Sequence, residues 1–183
     1  MRLFIAILFE EPIIKSLTKL QGRWHDIGVR GRFASEQNLH LTLAFIGEYG
    51  SAEPVLDVMD AVPFAPFSIK LDGIGNFSDT CWAGIEKNEE LSKYVSRLRK
   101  TLAANNIPYD KKKFFPHITL VRKTVLNCGM GELLQNQPQG EMLVKSIDLM
   151  SSTRGKNGMI YTSLGGVEAK DFRETSYEKS SID

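Results

Sequence analysis

Residues 40–46 read HLTLAFI and residues 117–121 read HITLV, so one short chain carries the same histidine-x-threonine pattern twice. In an extended strand successive side chains point to opposite faces, so the histidine and threonine of each copy would share one face. An imidazole can donate or accept a proton near neutral pH, and a hydroxyl two residues along can donate a hydrogen bond to the same bound group. We therefore interpret both pairs as catalytic groups that face one cleft: His40 and Thr42, and His117 and Thr119.

The composition excludes several other classes of protein. The 183 residues include 23 Lys and Arg against 22 Asp and Glu, so the chain lacks the global positive field that drives sequence-independent DNA binding. Its two cysteines, Cys81 and Cys128, lie far apart in the sequence and outside any Cys-x-x-Cys spacing. That usage argues against a disulfide scaffold and a structural zinc site, and it is typical of a reducing compartment.

The N-terminal apolar stretch Leu3–Phe9 predicts a buried strand rather than a signal peptide. It is short, has no small-residue cleavage site, and is followed at once by Glu10, Glu11 and Pro12. No segment approaches the roughly 20 apolar residues that a membrane span requires. We therefore expect a cytoplasmic protein without membrane contact, and a monomer.

Strand and helix signals alternate along the chain. Apolar residues at helical spacing predict helices from Pro12 to Gly28, from Pro54, from Glu89 to Asn105, and near Gly131 to Gln137. Alternating or continuous apolar runs predict the other elements as strands. Besides the first strand and the two motif strands, these are Arg32–Ala34, Phe67–Leu71, Cys81–Ile85, Leu143–Ser151 and Met159–Leu164, with a glycine-bearing loop at Asp72–Asn76.

The order of these elements suggests an internal duplication. Each half offers a helix, a motif strand, a second helix and a pair of strands, and pseudo-twofold packing would set the two histidines opposite each other. We predict an α+β fold in one bilobal domain over residues 1–169. The polar segment 170–183 has little to bury, and we expect it to be a disordered tail.

At the two motifs the chain resembles a known family. Residues 38–48, NLHLTLAFIGE, and residues 115–122, FPHITLVR, are similar to the paired motifs of the two-histidine phosphoesterases. The resemblance extends to Arg2–Ile7, to the strand that contains Trp82, and to Tyr161–Leu164, as in the branch of RNA 2',3'-cyclic phosphodiesterases, also called 2'-5' RNA ligases. One such motif is weak evidence, whereas two in this context are specific.

The resemblance implies two antiparallel sheets that line a central cleft, with helices outside. In that family the histidine of the first motif is the general acid toward the leaving ribose oxygen, and that of the second activates water. Those roles fall to His40 and His117, and the threonines, Thr42 and Thr119, hold the phosphate oxygens. Arg122 matches a basic residue that binds substrate. Strict alternation would turn Arg122 away from the motif face, so its role requires the strand to end or twist there.

The expected substrate is RNA, for example a tRNA fragment, or a nucleotide that ends in a 2',3'-cyclic phosphate. Acid, base and hydrogen-bond donors suffice for its hydrolysis, so we predict no metal and no cofactor. Ligation is the reverse reaction, which water at about 55 M disfavours by mass action. Two alternatives stay open: a phosphodiesterase for a small cyclic or 2'-5'-linked nucleotide, and an RNA-binding module without turnover.

Several weaker features have simpler interpretations. A metal site formed by both motif histidines and His25 would need a third ligand from a helix face and has no carboxylate in the motifs. Gly73-x-Gly75 lacks the further glycine and the lysine of phosphate-binding loops and indicates a turn. Lys111–Lys113 could guide RNA or be solvated, and Phe114 and Phe115 could stack on a base or pack in the core.

Overall fold

The computed structural model describes residues 1–156 and 158–171. Within them the helices are α1 (Glu11–Asp26), α2 (Glu53–Asp60), α3 (Glu89–Ala104) and α4 (Met130–Leu134). The strands are β1 (Arg2–Leu8), β2 (Val29–Phe33), β3 (His40–Glu48), β4 (Phe67–Phe77), β5 (Thr80–Ile85), β6 (His117–Leu126), β7 (Glu141–Val144), β8 (Ser146–Gly155) and β9 (Gly158–Glu168).

The two long helices begin at residues that favour a helix start, and each helix buries its apolar face. Helix α1 has Pro12 in its first turn, where the missing N–H is not needed. Helix α3 is capped by Asn88, whose Oδ1 accepts a hydrogen bond of 2.8 Å from the backbone N–H of Leu91. The buried stripe of each helix faces the sheets, with Trp24 on α1 and Leu98 on α3 fully enclosed.

All strands pair antiparallel in two sheets. Sheet 1 has the order β3-β1-β8-β9, and sheet 2 has the order β2-β6-β5-β4-β7. The predicted α+β fold with two antiparallel sheets is therefore confirmed. The first motif lies in sheet 1 and the second in sheet 2, so each sheet contributes one histidine to the space between them.

Apart from β2, β7 and β9, the element order repeats as strand, helix, strand, helix, strand: β1-α1-β3-α2-β4 and then β5-α3-β6-α4-β8. The last strand of each unit pairs in the other unit's sheet, β8 beside β1 and β4 beside β5. The predicted duplication has each strand pair in the same half as the preceding motif, and this division differs from the observed one. The pair β4-β5 extends the His117 sheet because β5 opens the second unit and lies directly beside β6.

The glycine-bearing segment 72–76 was predicted as a loop, and this prediction is wrong. Strand β4 runs through it, with a register irregularity between Leu71 and Ile74 and a φ of +75° at Gly73. A glycine there takes a backbone conformation that other residues rarely adopt, so the strand bends instead of ending. The single strand predicted over 143–151 is also two strands, because β7 pairs with β4 and β8 pairs with β1.

Most of the predicted tail, residues 172–183, lies outside the described residues. Lys170 does not belong to a loose tail, because its backbone N–H donates a hydrogen bond of 2.8 Å to the carbonyl of Phe64. Among the described residues, no helix is long and apolar enough to cross a membrane.

Candidate active site

Both motif strands begin at their histidine and present the predicted faces. In β3 the side chains of His40 and Thr42 are half-buried, whereas those of Leu41 and Leu43 are fully buried in the core. Strand β6 repeats the pattern, with half-buried His117 and Thr119 alternating with buried apolar residues. The sequence period of two therefore places each histidine beside its threonine on one face.

Each motif strand contains an extra residue three positions after its histidine. The pairing of β3 with β1 skips Leu43, and the pairing of β6 with β5 skips Leu120. Such a bulge shifts the alternation by one residue. After it, Arg122 lies on the same face as the second motif, and Phe45 takes the corresponding position in β3. This is the change of strand geometry that a substrate-binding role of Arg122 requires.

The two histidines are oriented by equivalent backbone contacts. Nδ1 of His40 lies 2.7 Å from the carbonyl oxygen of Asn38, and Nδ1 of His117 lies 2.8 Å from that of Phe115. A carbonyl oxygen can only accept, so each Nδ1 carries a hydrogen. The proton that each ring can gain or lose is therefore the one on Nε2. In the first motif, Nε2 of His40 lies 3.1 Å from Oγ1 of Thr42.

The electrostatic environment of His40 disfavours its charged form. Burial is the main cause that lowers its pKa below the ordinary value of 6.5, and the hydrogen bond to Asn38 partly opposes it. The positive charges of Arg122 and His117 lower the pKa further. Arg122 and His117 lie on sheet 2, whereas His40 lies on sheet 1. Charges on one motif face therefore affect the pKa of a group on the other, across a single cleft.

Aromatic rings flank both imidazoles. The ring of His40 lies 4.9 Å from that of Phe4 on β1 and 5.2 Å from that of Tyr161 on β9, measured between centroids. The side-chain amide of Asn38 donates to the carbonyl of Met159, which joins the first motif to β9 as well. On sheet 2 the ring of His117 lies 5.1 Å from that of Phe77. These contacts restrict each imidazole to one orientation.

The bulge in each motif strand is held by a side chain of a long helix. The carbonyl of Leu43 accepts hydrogen bonds of 3.1 and 3.0 Å from Nε and Nη2 of Arg99 on α3. The carbonyl of Leu120 accepts one of 3.0 Å from Nε2 of Gln21 on α1. Arg99 also donates through Nη1 to the carbonyl of Lys112, in the loop before the second motif. It therefore links the first motif strand to the loop that leads into the second.

Comparison with known proteins identifies the family of this chain. Residues 9–156 match the 2'-5' RNA ligase superfamily. The chain belongs to this superfamily. A relative from Aquifex aeolicus named RNA 2',3'-cyclic phosphodiesterase is 32% identical over 154 residues, which cover 75% of this chain and 81% of the relative. One of the same name from Thermotoga maritima is 29% identical over 173 residues, covering 88% and 91%.

Solved structures show the same fold. The structure of E. coli LigT complexed with 3'-AMP matches with a TM-score of 0.78 at 26% identity, covering 93% of this chain and 98% of LigT.

The other residues that the sequence singled out differ in their surroundings. His25, at the end of α1, contacts Phe33 and lies 3.8 Å from the carboxylate of Asp26. Over residues 1–156 and 158–171, no three or more His, Cys, Asp or Glu side chains form a group that could hold a metal ion. Cys81 and Cys128 are both free, the first buried and the second half-buried. Phe114 packs against the core, whereas Phe115 is half exposed.

Several residues around this site gave no signal in the sequence. Phe4 and Tyr161 were noticed only as parts of similar segments, and Phe77 was not noticed at all. Each comes from a strand that is distant in sequence from the motif it contacts, so periodicity gave no signal. Arg99 was not singled out either, yet it is the brace described above.

Proposed function

We propose that this protein hydrolyses RNA 2',3'-cyclic phosphodiester ends to 2'-phosphomonoesters without a metal ion. The observation that carries the proposal is the pair of imidazoles on facing sheets, each with Nδ1 bonded to a carbonyl and Nε2 available for proton transfer. The names of the relatives supply the substrate class. Reverse ligation would use the same groups.

In this mechanism water attacks phosphorus on the side opposite the departing O3'. Nε2 of His117 takes the proton of the attacking water, and the P–O3' bond breaks as Nε2–H of His40 protonates O3'. The hydroxyls of Thr42 and Thr119 donate hydrogen bonds to the non-bridging oxygens, and the charge of Arg122 stabilises them. His40 ends neutral and His117 ends protonated, so proton exchange with solvent restores the starting state.

The acid role of His40 needs a bound anion. In the free cleft, burial and the nearby positive charges lower its pKa and favour the neutral imidazole. A phosphodiester between the motifs brings a negative charge beside that ring, which stabilises the protonated form. The acid is therefore formed together with the substrate complex. We expect a bell-shaped pH dependence of kcat/KM, whose two limbs belong to the pair.

The test is incubation of the purified protein with a set of cyclic-phosphate substrates in excess chelator. The set runs from 2',3'-cyclic mononucleotides through short oligonucleotides to a tRNA half. Turnover of the RNA substrates in chelator is the expected result. Turnover confined to mononucleotides would favour a nucleotide phosphodiesterase, binding without turnover would favour an RNA-binding module, and a rate restored only by added zinc would contradict the two-histidine mechanism.

A further inference from the structure

Three aromatic side chains of sheet 2 and the loop before β6 form a continuous surface beside the second motif. We call Phe77, Trp82 and Phe115 the aromatic platform. Their ring centroids lie 5.1 to 5.6 Å apart, at edge or tilted angles that are favourable for aromatic pairs. The platform contacts the catalytic centre directly, because the ring of Phe77 lies 5.1 Å from that of His117.

A glycine on β4 makes room for the indole of Trp82. Gly75 on β4 pairs with Trp82 on β5, and a Cβ at Gly75 would lie 2.6 Å from Cη2 of the indole. Only a glycine lets the indole lie against the strand here. The platform is thus a preformed surface in which the indole of Trp82 packs against β4.

Packing of the catalytic imidazole does not explain the exposure of these rings. Phe4, which packs against His40, is 3% exposed, so a ring can hold a motif histidine while being buried. Phe77 and Phe115 are 46% and 50% exposed although both lie near His117. Adjacent exposed aromatic side chains at an active site indicate a binding surface rather than a core.

Charge on the same face favours a nucleic acid strand as the occupant. Arg122 lies on β6, the strand next to Trp82, and Arg32 of β2 pairs with it in register and is exposed. Cationic side chains beside aromatic rings are the combination that binds single-stranded nucleic acid, where phosphates meet the charges and bases stack on the rings.

We propose that the aromatic platform is a stacking site for a nucleobase of the RNA strand whose cyclic phosphate lies between His40 and His117. This inference rests on the proposed function and deepens it, because it makes the protein selective for base-bearing oligonucleotides over the bare cyclic ribose phosphate. The stacked base belongs either to the nucleotide that carries the cyclic phosphate or to its 5' neighbour, and the substrates below distinguish the two.

The test compares kcat/KM of the wild type and of Phe77→Leu and Phe115→Leu on three trinucleotides with 2',3'-cyclic phosphate ends. One is intact, one lacks the base of the terminal nucleotide, and one lacks the base of its neighbour. Leucine keeps an apolar side chain and removes the ring. We expect each variant to lose on the order of 10-fold on the intact substrate and much less on the one abasic substrate whose missing base would stack.

Leu143→Ala is the matched control, since Leu143 is an exposed apolar residue on the same sheet, 41% exposed, in the edge strand β7. Leu143→Ala should leave the ratios of kcat/KM between the three substrates unchanged. Thermal unfolding should show that all variants fold. An equal loss on all three substrates would overturn the stacking site and leave the proposed function standing. If the wild type hydrolysed none of the substrates, the proposed function itself would fail.

Discussion

Arg122 and His40 lie on different sheets, yet the positive charge of the first lowers the pKa of the second. The bulge at Leu120 makes this relationship possible, because it turns Arg122 onto the face of the second motif. One residue inserted into one strand thus adds to the effect of burial on an imidazole on the opposite side of the cleft.

Arg122→Gln should raise the pKa of His40 toward its ordinary value of 6.5 without reaching it. The substitution removes a positive charge that disfavours the imidazolium, whereas burial, the larger cause, remains. Titration of the His40 ring by NMR measures the effect. Arg32→Gln is the control, because Arg32 is not among the groups that shift this pKa, and an unchanged His40 titration in Arg122→Gln would contradict the prediction.

The same pKa makes the stability of the fold depend on pH. The folded pKa of His40 lies below the unfolded value, so the unfolded state binds the proton more readily as the pH falls. The contribution of His40 to the free energy of unfolding is therefore fully present above about pH 6.5 and is lost as the pH falls through the folded pKa. In chemical denaturation from pH 8 to pH 4, His40→Asn should lose less stability than the wild type. Identical pH dependence in the two proteins would refute this.

His40→Ala and His117→Ala should each lower turnover of a cyclic-phosphate RNA by about 10² to 10⁴-fold while the fold remains intact. Each variant removes one proton-transfer group, and the pair acts as a unit, so the double variant should be little worse than either single one. Thr42→Val and Thr119→Val should lower turnover less than the alanine variants do. Steady-state kinetics with circular dichroism checks these effects, and near-wild-type turnover in either alanine variant would exclude the mechanism.

Arg99→Lys should lower kcat more than it lowers the affinity for substrate. The guanidinium holds the carbonyls of Leu43 and Lys112 at once, and a single ammonium group cannot reproduce this fork. Without this contact to both carbonyls, the distance between the two motif strands should vary more. This should lower kcat, because the reacting groups must be held in one geometry. We would measure kcat and KM well below the unfolding temperature.

Arg97→Lys provides the matched control for that experiment. Arg97 lies on the same helix and bonds the carbonyl of Pro63, away from both motifs. Its substitution should leave kcat unchanged. If Arg99→Lys lowered only the unfolding temperature and left kcat intact, Arg99 would have a structural role alone.

A single regioisomer should form, with the phosphate on O2'. In-line attack requires the leaving oxygen to lie opposite the incoming water, so the pocket selects the oxygen that it directs toward His40. Phosphorus NMR of the product separates a 2'-phosphate from a 3'-phosphate. A clean 3'-phosphate would reverse the orientation of the ribose, and a mixture would mean that the cleft does not position the ribose.

The sequence predicted the helices and strands whose side-chain pattern repeats along the chain. It did not reveal the contacts that depend on how the strands pair. The His-x-Thr faces follow from a period of two, and α1 and α3 follow from a period near 3.6, so both could be read directly. The bulges at Leu43 and Leu120 break that period by one residue, and only the strand register shows them. This is why alternation alone placed Arg122 on the wrong face.

The loop predicted at residues 72–76 failed for a related reason. Glycines at 73 and 75 are typical of turns, yet here one allows a bulge and the other makes room for Trp82. Both functions depend on β5, which packs beside this segment. The braces of Arg99 and Gln21 were equally invisible, because their partners are main-chain atoms that no pattern of side chains reveals.

The pairing of β8 with β1 and of β4 with β5 has a consequence for synthesis on the ribosome. Strand β1 emerges first but receives its second neighbour only when β8, which begins at Ser146, has been made. Both motifs are translated before that point. A chain released early would carry both histidine-threonine pairs without a finished cleft to hold them, so we expect hydrolysis of the cyclic phosphate to begin only once β8 has left the exit tunnel.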